Sequence, residues 1–187
     1  MNLRKWPIKY HHGMDIPSNY LNIYTTPSQA IQINNIILQY ITKDSVITDA
    51  TAGIWGNTVY FFKTFKYVNI VELDINLMNI LKNNIPKTNN IYFVSYNIIK
   101  FMLTQDIIFI DPPWGGSDYK SKKKINLYLD NINVIEIIDQ MYNYTKIVCL
   151  KVPNNFNCNF ETNFWSKRIH NITKNKRCIY KLIIFYK

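Results

Sequence analysis

The chain has 187 residues and a formal net charge of +10, from 22 basic and 12 acidic side chains. With 48% hydrophobic residues, it is too apolar for a disordered basic tail and long enough to bury one core without disulfides or metals. The positive charge favours a polyanionic partner. No apolar run approaches the roughly 20 residues that cross a bilayer. Three scattered cysteines without Cys-x-x-Cys spacing predict an intracellular protein with reduced thiols and no metal site.

Hydrophobic periodicity predicts alternating strands and helices. Residues 1–25 are irregular and aromatic, after which Thr26-Pro27-Ser28-Gln29 has the sequence of a helix start with Thr26 as N-cap. Apolar runs predict strands at residues 45–49, 67–73, 91–95, 106–110, 146–152, 160–170 and 178–186. Amphipathic segments predict helices after Thr26 and at residues 57–65, 75–84 and 134–142. This alternation is typical of a mostly parallel α/β sheet, and the last two strands predict an antiparallel hairpin at its edge.

The first candidate site is the loop after the first predicted strand. Four of the five glycines fall in two short segments, namely Gly53 with Gly56 and Gly115 with Gly116. The first pair follows Asp49, and Asn57 is placed to cap the next helix. Glu72 ends the second strand, where an acidic residue can accept both ribose hydroxyls of an adenosine. The loop is neither GxGxxG nor a P-loop, and Asp49 before it suits the ammonium group of S-adenosyl-L-methionine. An ordinary strand-loop-helix turn remains the alternative.

The second candidate site directly follows the fourth predicted strand, with the sequence Asp111-Pro112-Pro113-Trp114-Gly115-Gly116-Ser117-Asp118-Tyr119. The two prolines restrict the backbone and remove two N–H donors. Acceptors on Asp111 and the Pro112 carbonyl can then hold both hydrogens of an exocyclic amino group. That hold localises the nitrogen lone pair and directs it at the cofactor's methyl group. Trp114 offers an indole face for stacking the base. The alternative is a rigid turn with a buried tryptophan.

At these residues the chain resembles class I S-adenosylmethionine-dependent methyltransferases and, more narrowly, the RNA cap guanine-N2 methyltransferases of the trimethylguanosine synthase family. The family's Pro-Pro-Trp-Gly-Gly-x-Asp-Tyr loop matches residues 112–119. Its Asp-Ala-x-x-Gly-x-Gly-Gly-Asn-Thr motif matches residues 49–58 with one break, and its Thr-Pro matches Thr26-Pro27. The resemblance covers residues 20–187. It implies a Rossmann-like class I methyltransferase domain at 44–187, after a short N-terminal extension and leading helix at 1–43. We expect a monomer.

The resemblance implies methyl transfer to N2 of 7-methylguanosine in an RNA cap. The implied cofactor-binding residues are Thr26, Asp49, Ala50, Gly53, Gly56, Asn57, Glu72, Asn97 and Asp111. The implied catalytic residues are Asp111, Pro112, Pro113 and Trp114, with Trp114 stacking on the cationic purine. Lys120, Lys122 and Lys123 are expected to bind the cap's phosphates, although a lysine run is usually a solvated face. A second basic patch is expected at Lys174, Lys176 and Arg177.

Three residues depart from the family pattern. Trp55 replaces a glycine and is expected to crowd or cover the cofactor, and Asn97 replaces an acid near the adenine. Asp111 stands where the cap enzymes typically have Ser. Because Asp-Pro-Pro-aromatic is usual in adenine-N6 methyltransferases, Asp111 favours an alternative target, either adenine N6 or a guanine N2 within RNA. Trp55 and Asn97 favour a second alternative, a catalytically silent RNA-binding subunit that keeps the fold.

Overall fold

The computed structural model describes residues 25–85, 88–95, 97, 105–116 and 118–187. The predictions for residues 1–24 lie outside the described residues. The helices in the described ranges are α1 (Pro27–Ile37), α2 (Thr58–Thr64), α3 (Ile75–Asn84) and α4 (Val134–Gln140). The strands are β1 (Val46–Asp49), β2 (Tyr67–Val71), β3 (Ile91–Val94), β4 (Ile107–Ile110), β5 (Tyr128–Leu129), β6 (Ile132–Asn133), β7 (Ile147–Pro153), β8 (Ser166–Lys174) and β9 (Arg177–Tyr186).

Seven of these strands form one sheet in the order β3-β2-β1-β4-β7-β9-β8. The first five are parallel to one another, whereas β9 runs antiparallel to both β7 and β8. The predicted α/β fold with an antiparallel C-terminal edge hairpin is therefore confirmed. The small hairpin of β5 and β6 was not predicted, because two-residue strands carry no readable periodicity. Its turn residues Asp130 and Asn131 have the positive φ angles that a tight hairpin turn requires.

The start of the penultimate strand differs from the prediction. The strand was expected from residue 160, but β8 begins at Ser166. Residues 160–165 form a loop instead, which packs against α4 and β9. The Trp165 indole N–H donates to the Ile138 carbonyl at 3.1 Å, and the Phe160 ring lies 6.0 Å from the Phe185 ring. Burial of large aromatic side chains does not require the strand conformation that their type favours.

The sheet buries both of its faces, as the alternation along its central strands shows. Ile107 and Phe109 of β4 belong to the apolar cluster that includes α1, α2 and α3. Ile108 and Ile110 belong to the cluster formed with α4. A continuously apolar strand is typical of a parallel sheet covered by helices on both sides. The helices leave the carboxyl edge of the strands to the loops, which is where ligands bind in such sheets.

The predicted start of α1 is confirmed in its details. Thr26 precedes Pro27, and the Thr26 backbone N–H donates to Gln29 Oε1 at 2.9 Å. This contact satisfies a backbone donor that the helix itself leaves free. Ile33 and Ile37 follow on the buried face of the helix. The cap therefore places α1, and the residue before it, against the sheet.

Membrane-spanning helices and metal-binding clusters are absent from the described residues. No helix among them is long and apolar enough to cross a membrane. They also contain no group of three or more His, Cys, Asp or Glu side chains that could ligate a metal ion. The three cysteines are all free thiols, and Cys149 is buried in the sheet.

Candidate active site

The two predicted loops lie side by side at the carboxyl edge of the sheet. Strands β1 and β4 are neighbours, with Asp49 opposite Phe109. Beyond the strands, the Ala50 N–H donates to the Phe109 carbonyl at 2.9 Å, and the Asp111 N–H donates to Thr51 Oγ1 at 2.7 Å. These hydrogen bonds tie the glycine loop to the Pro-Pro loop. The fold therefore brings together two segments that are far apart along the chain.

Asp49 is a buried carboxylate with an unused oxygen. Asp49 is only 1% exposed, and its Oδ2 accepts a hydrogen bond from Thr58 Oγ1 at 2.6 Å. Oδ1 is buried and has no hydrogen-bond partner among the described residues. Burial raises the pKa of Asp49 to about 7, because the Thr58 side chain and the Thr51 backbone offset only part of the desolvation, and the Asp111 and Glu72 carboxylates add to the rise. The site favours either a proton or a cationic ligand at Oδ1.

Glu72 is fixed by backbone donors. The Gly53 N–H donates to Oε2 at 2.8 Å, and the Asp74 N–H donates to Oε1 at 2.9 Å. Each carboxylate oxygen can accept more than one hydrogen bond, so the predicted contacts to a ribose stay available to this side chain. Gly53 itself has a φ of +56°, and a Cβ built on it meets nothing within 4 Å. The loop thus leaves open space where a ligand can approach the backbone.

Gly56 is needed for a different reason, which is close backbone approach. A Cβ at this position would lie 2.8 Å from the Thr25 nitrogen and 2.9 Å from its carbonyl oxygen. Contacts that short with backbone atoms cannot be relieved by rotating a side chain. The glycine therefore holds the glycine loop against the residue that precedes the start of α1.

A Gly56→Ala variant is expected to lose about 3 kcal/mol of unfolding free energy, since the added methyl group overpacks a backbone contact. Gly53→Ala is the matched control and is expected to lose about 1 kcal/mol, from backbone strain alone. Chemical denaturation with a two-state fit measures both. Equal losses in the two variants would contradict the close contact between Gly56 and Thr25.

Trp55 is a buried residue with a left-handed backbone. It has a φ of 87°, in the region where glycine is normally required, so the backbone keeps the shape of the family's glycine despite the large side chain. The residue is 1% exposed and belongs to the same apolar cluster as Ile33, Val59 and Phe61. An indole gains more from burial in the core than from exposure over a polar loop. The expected effect of Trp55 on the cofactor stays a prediction.

Asn57 is the N-cap residue of α2, but its side chain does not make the capping hydrogen bond that was predicted. Its Nδ2 donates instead to Thr25 Oγ1 at 3.1 Å. Thr26, which was predicted to help line the cofactor pocket, serves as the N-cap of α1. The buried hydroxyl at this place belongs to Thr25, which sequence reasoning missed because it lies one residue outside the capping motif.

Asn97 lies after β3, beside the β5–β6 turn. Its Nδ2 donates to Asp130 Oδ2 at 3.1 Å. An acidic residue at position 97 would repel this aspartate, whereas an amide can donate to it. The asparagine at position 97, where the family usually has an acid, is therefore compatible with the neighbouring Asp130. The predicted contact of Asn97 with an adenine stays a prediction.

Lys151 is the site residue that sequence reasoning missed. It lies on β7 and is 4% exposed, and its ammonium nitrogen lies 2.6 Å from Asp111 Oδ2 and 2.8 Å from Thr25 Oγ1. The same nitrogen lies 5.4 Å from the centre of the Trp114 ring and 4.7 Å from that of Tyr180. Burial raises the pKa of Asp111, and the Lys151 cation opposes that rise. A single lysine in the otherwise apolar run Ile-Val-Cys-Leu-Lys-Val-Pro was the available signal.

Trp114 is half-buried beside this ion pair. Its ring makes edge contacts with Tyr119 at 5.4 Å and Tyr180 at 6.0 Å between centroids. Its indole N–H is buried and has no hydrogen-bond partner in the described part of the chain. The ring is thus held at a defined angle next to Asp111, with part of its surface accessible. Pro112 is buried and Pro113 exposed in the same loop.

Hydrogen bonds from Asn155 hold the lysine run next to the Pro-Pro loop. Lys120 lies in the short 3₁₀ helix Asp118–Ser121, and Lys122 and Lys123 follow it, all three exposed. Asn155, just after β7, donates through Nδ2 to the Tyr119 carbonyl at 2.6 Å and to the Lys122 carbonyl at 2.8 Å. The position of the lysines is therefore set by the strand that carries Lys151. Sequence reasoning did not identify Asn155.

The second basic patch lies at the same edge of the sheet. The turn between β8 and β9 carries Lys174, Lys176 and Arg177, all exposed. Because Tyr180 pairs with Pro153 at the carboxyl end of β7, the turn lies on the side of the sheet where the loops meet. Gln32 of α1 binds this region through both the Thr173 carbonyl and its N–H. Both predicted patches therefore flank the candidate site.

The comparison with protein families agrees with this geometry. A family model described as RNA cap guanine-N2 methyltransferase matches residues 44–184. The chain belongs to this family. Protein L320 of Acanthamoeba polyphaga mimivirus is 38% identical over 151 residues, covering 76% of this chain and 57% of the relative. Trimethylguanosine synthase of Schizosaccharomyces pombe is 25% identical over 114 residues, covering 54% and 47%. The chain thus spans about half the length of these curated relatives.

Solved structures show the same fold. A protein of Escherichia coli assigned as a methyltransferase superposes with a TM-score of 0.63 at 14% identity, covering 93% of this chain and 91% of that one. An rRNA methylase of Streptococcus thermophilus superposes with a TM-score of 0.59 at 8% identity, covering 84% and 96%. At such low identity these likenesses establish the Rossmann-like methyltransferase fold alone.

Proposed function

We propose that the protein transfers a methyl group from S-adenosyl-L-methionine to the exocyclic N2 of 7-methylguanosine in an RNA cap. One observation carries the proposal, which is that the Asp49 loop and the Asp111-Pro112-Pro113-Trp114 loop are hydrogen-bonded to each other at the carboxyl edge of the sheet. A cofactor over the first loop and a base over the second would then meet. Membership of the cap guanine-N2 family supports the choice of target.

The residues present fit S-adenosyl-L-methionine. The buried, unpartnered Oδ1 of Asp49 suits the ammonium group of the amino acid part, and the carboxylate of Glu72 suits the ribose hydroxyls. The open space beside Gly53 allows close approach to the backbone. When bound, the cofactor supplies a methyl group activated by a sulfonium. Gly56 and Asn57 support this pocket by fixing Thr25 and the start of α2.

The Pro-Pro loop fits an amino group on a planar base. Asp111 and the Pro112 carbonyl would accept the two amino hydrogens and direct the nitrogen lone pair at the methyl carbon. The new C–N bond would form as the bond between the methyl carbon and the sulfonium sulfur breaks, which leaves a neutral thioether. The nitrogen would then lose one hydrogen as a proton to the Asp111 carboxylate or to water. Trp114 would stack on the base, with a gain from the positive charge of 7-methylguanine. Alignment of the two reactants supplies most of the rate in such a transfer.

The basic residues around the edge fit the rest of a capped RNA. Lys120, Lys122 and Lys123 lie next to the Pro-Pro loop and would bind the phosphates of the cap. Contacts of exposed lysines with phosphates weaken steeply with salt. The affinity for capped RNA should therefore fall with ionic strength far more than the affinity for the cofactor.

A substrate panel tests the proposal. We expect transfer of a labelled methyl group to m7GTP at a kcat/KM about 2-fold to 30-fold above that for GTP, given the cation–π attraction of the methylated base. Adenine-containing RNA without a cap is the third substrate. Mass analysis of the product shows whether one or two methyl groups are added.

Asp111 supports one alternative function, methylation of adenine N6 or of a guanine N2 within RNA. Transfer to the uncapped RNA with none to m7GTP would establish that alternative and end the cap proposal. Tight RNA binding without any heat of cofactor binding in calorimetry would establish a catalytically silent subunit. An Asp111→Asn variant, which keeps the shape of the side chain but loses its charge, serves as the control for background transfer.

A further inference from the structure

Lys151 takes a position that the strand pattern reserves for an apolar residue. Along β7, Ile147 and Cys149 point into the cluster that includes α1 and α2, and Lys151 is the next residue on that face. Its strand partner Leu182 is fully buried in the same cluster. A lysine is almost never this deeply buried unless its charge is paired. Its presence at this position therefore calls for a cause other than packing.

The ammonium group of Lys151 is fully engaged at the candidate site. It donates to Asp111 Oδ2 after β4 and to Thr25 Oγ1 before α1, and it lies near the rings of both Trp114 and Tyr180. The Thr25 hydroxyl is itself held by Asn57 Nδ2. One lysine thus joins four separate segments of the chain. Three of the residues that define its position belong to the predicted catalytic or cofactor-binding set.

The ion pair leaves Asp111 with one oxygen engaged and one available. Oδ2 is bound to Lys151, and Oδ1 makes no hydrogen bond with the described residues. The backbone N–H of Asp111 is bound to Thr51, which fixes the residue from the other side. Rotation of the Asp111 carboxylate would therefore break the ion pair with Lys151. Its second oxygen faces a fixed direction.

Stability alone is a poor reason for this pair. Burying a lysine and a carboxylate costs several kcal/mol per ion, and well-packed apolar residues at such positions are often as stable or more so. The neighbouring positions on this face of β7 show that apolar residues fit. A charged pair retained next to a reacting group is better explained by what it does to that group.

We propose that Lys151 is a positioning residue, whose ammonium group holds the Asp111 carboxylate ionised and oriented so that its second oxygen accepts a hydrogen of the target amine. This inference rests on the proposed function only in assigning Asp111 to the amine. A protonated Asp111 would present an O–H donor to the amino group, which is itself a donor, and the lone pair would not be aligned. The pair also explains how an aspartate works at a position where the family typically has serine.

The pH dependence follows from the groups that face Asp111. Lys151 from β7 is the cation, and Tyr180 from β9 and Asp49 from β1 are the other titratable groups. Burial raises the pKa of Asp111, and the Lys151 cation lowers it. Without the cation, the pKa of Asp111 must rise further. Activity that needs the carboxylate then appears only at higher pH.

The test replaces the charge and keeps the volume with Lys151→Met. On whichever base the wild type methylates, kcat at pH 7 is expected to fall by about 10-fold to 100-fold and to recover as pH rises, because the acid limb moves up by one to two pH units. The KM for the cofactor should stay within about threefold. Lys151→Arg keeps the charge, so the acid limb of its kcat–pH profile should stay at the wild-type pH. Lys146→Met is the matched control, since Lys146 pairs with Asp106 at 2.7 Å but is 71% exposed at the opposite edge of the sheet.

A second readout does not depend on activity. The chemical shift of the Asp111 carboxyl carbon, followed by NMR against pH in the free protein, should report a higher pKa in Lys151→Met than in wild type, with Asp111→Asn to assign the signal. A kcat reduced equally at every pH, or a carboxyl pKa unchanged in a folded Lys151→Met variant, would overturn the proposal. Absence of transfer to m7GTP would end the cap function but leave the NMR result to decide the role of Lys151.

Discussion

A Trp114→Ala variant is expected to lose methyl transfer by about 100-fold or more in kcat/KM, while its affinity for S-adenosyl-L-methionine stays within about threefold. Loss of base stacking on an aromatic ring costs about 1–3 kcal/mol, and misplacement of the reacting amine adds to that loss. The ring also packs against Tyr119 and Tyr180, so some stability is lost with it. Turnover and cofactor affinity should be measured well below the unfolding temperature of the variant.

Trp114→Phe is the control for this experiment. It keeps an aromatic face but has a weaker attraction for a cation than tryptophan. The variant should keep most of its activity and show a smaller preference for m7GTP over GTP. Unchanged turnover in Trp114→Ala would contradict the stacking role. Equal losses of turnover and cofactor affinity would mean that the ring supports the whole site rather than the base.

The second large effect is expected at Asp49. An Asp49→Asn variant should bind S-adenosyl-L-methionine at least about 30-fold more weakly, since truncating one partner of a buried charged contact costs about 2–5 kcal/mol. In the wild type, burial raises the pKa of Asp49 to about 7. The ammonium group of the cofactor favours the ionised carboxylate, so binding must release a proton below that pH. Cofactor affinity should therefore rise with pH up to about 7 and then level off.

The same carboxylate should affect stability in the opposite sense. Because the folded protein keeps the Asp49 proton between about pH 4 and pH 7 while the unfolded chain has lost it, the unfolding free energy falls as pH rises through that window. Asparagine cannot ionise, so Asp49→Asn should be more stable than wild type at pH 8, by up to about 4 kcal/mol at 1.36 kcal/mol per pH unit.

Calorimetric titration of the cofactor and urea denaturation, each across this pH range, measure the two effects of Asp49. Weaker binding joined to higher stability is the signature of a carboxylate whose burial serves a ligand. Binding that does not change with pH in the wild type, or a loss of stability in Asp49→Asn at pH 8, would show that Asp49 has a structural role. The Glu72 carboxylate already accepts hydrogen bonds from two backbone N–H groups. Replacing Glu72 should therefore not combine weaker cofactor binding with higher stability.

The sequence by itself determined the order of elements and the two loops that carry the chemistry. Helix α3 begins and ends where its apolar period predicts, and α1 begins at its Thr-Pro cap. These features depend on residues within a few positions of one another, so local patterns report them. The rule that ligands bind at the carboxyl ends of parallel strands then placed Asp49 and Asp111 at one edge before their distance was known. Family motifs in both loops indicated the same chemistry.

Only the tertiary structure decided which side chains complete the site. Lys151 reaches Thr25 across 126 positions of the chain and Asp111 across 40. A lysine near the end of a buried strand can be exposed to water or ion-paired inside the protein. The local sequence pattern is the same in both cases. The sequence likewise leaves open whether Trp55 is exposed at the loop or buried in the core. It is buried, because packing of an indole in the core is favourable. Long-range pairing and burial depend on how the elements meet, and that information is spread over the whole fold.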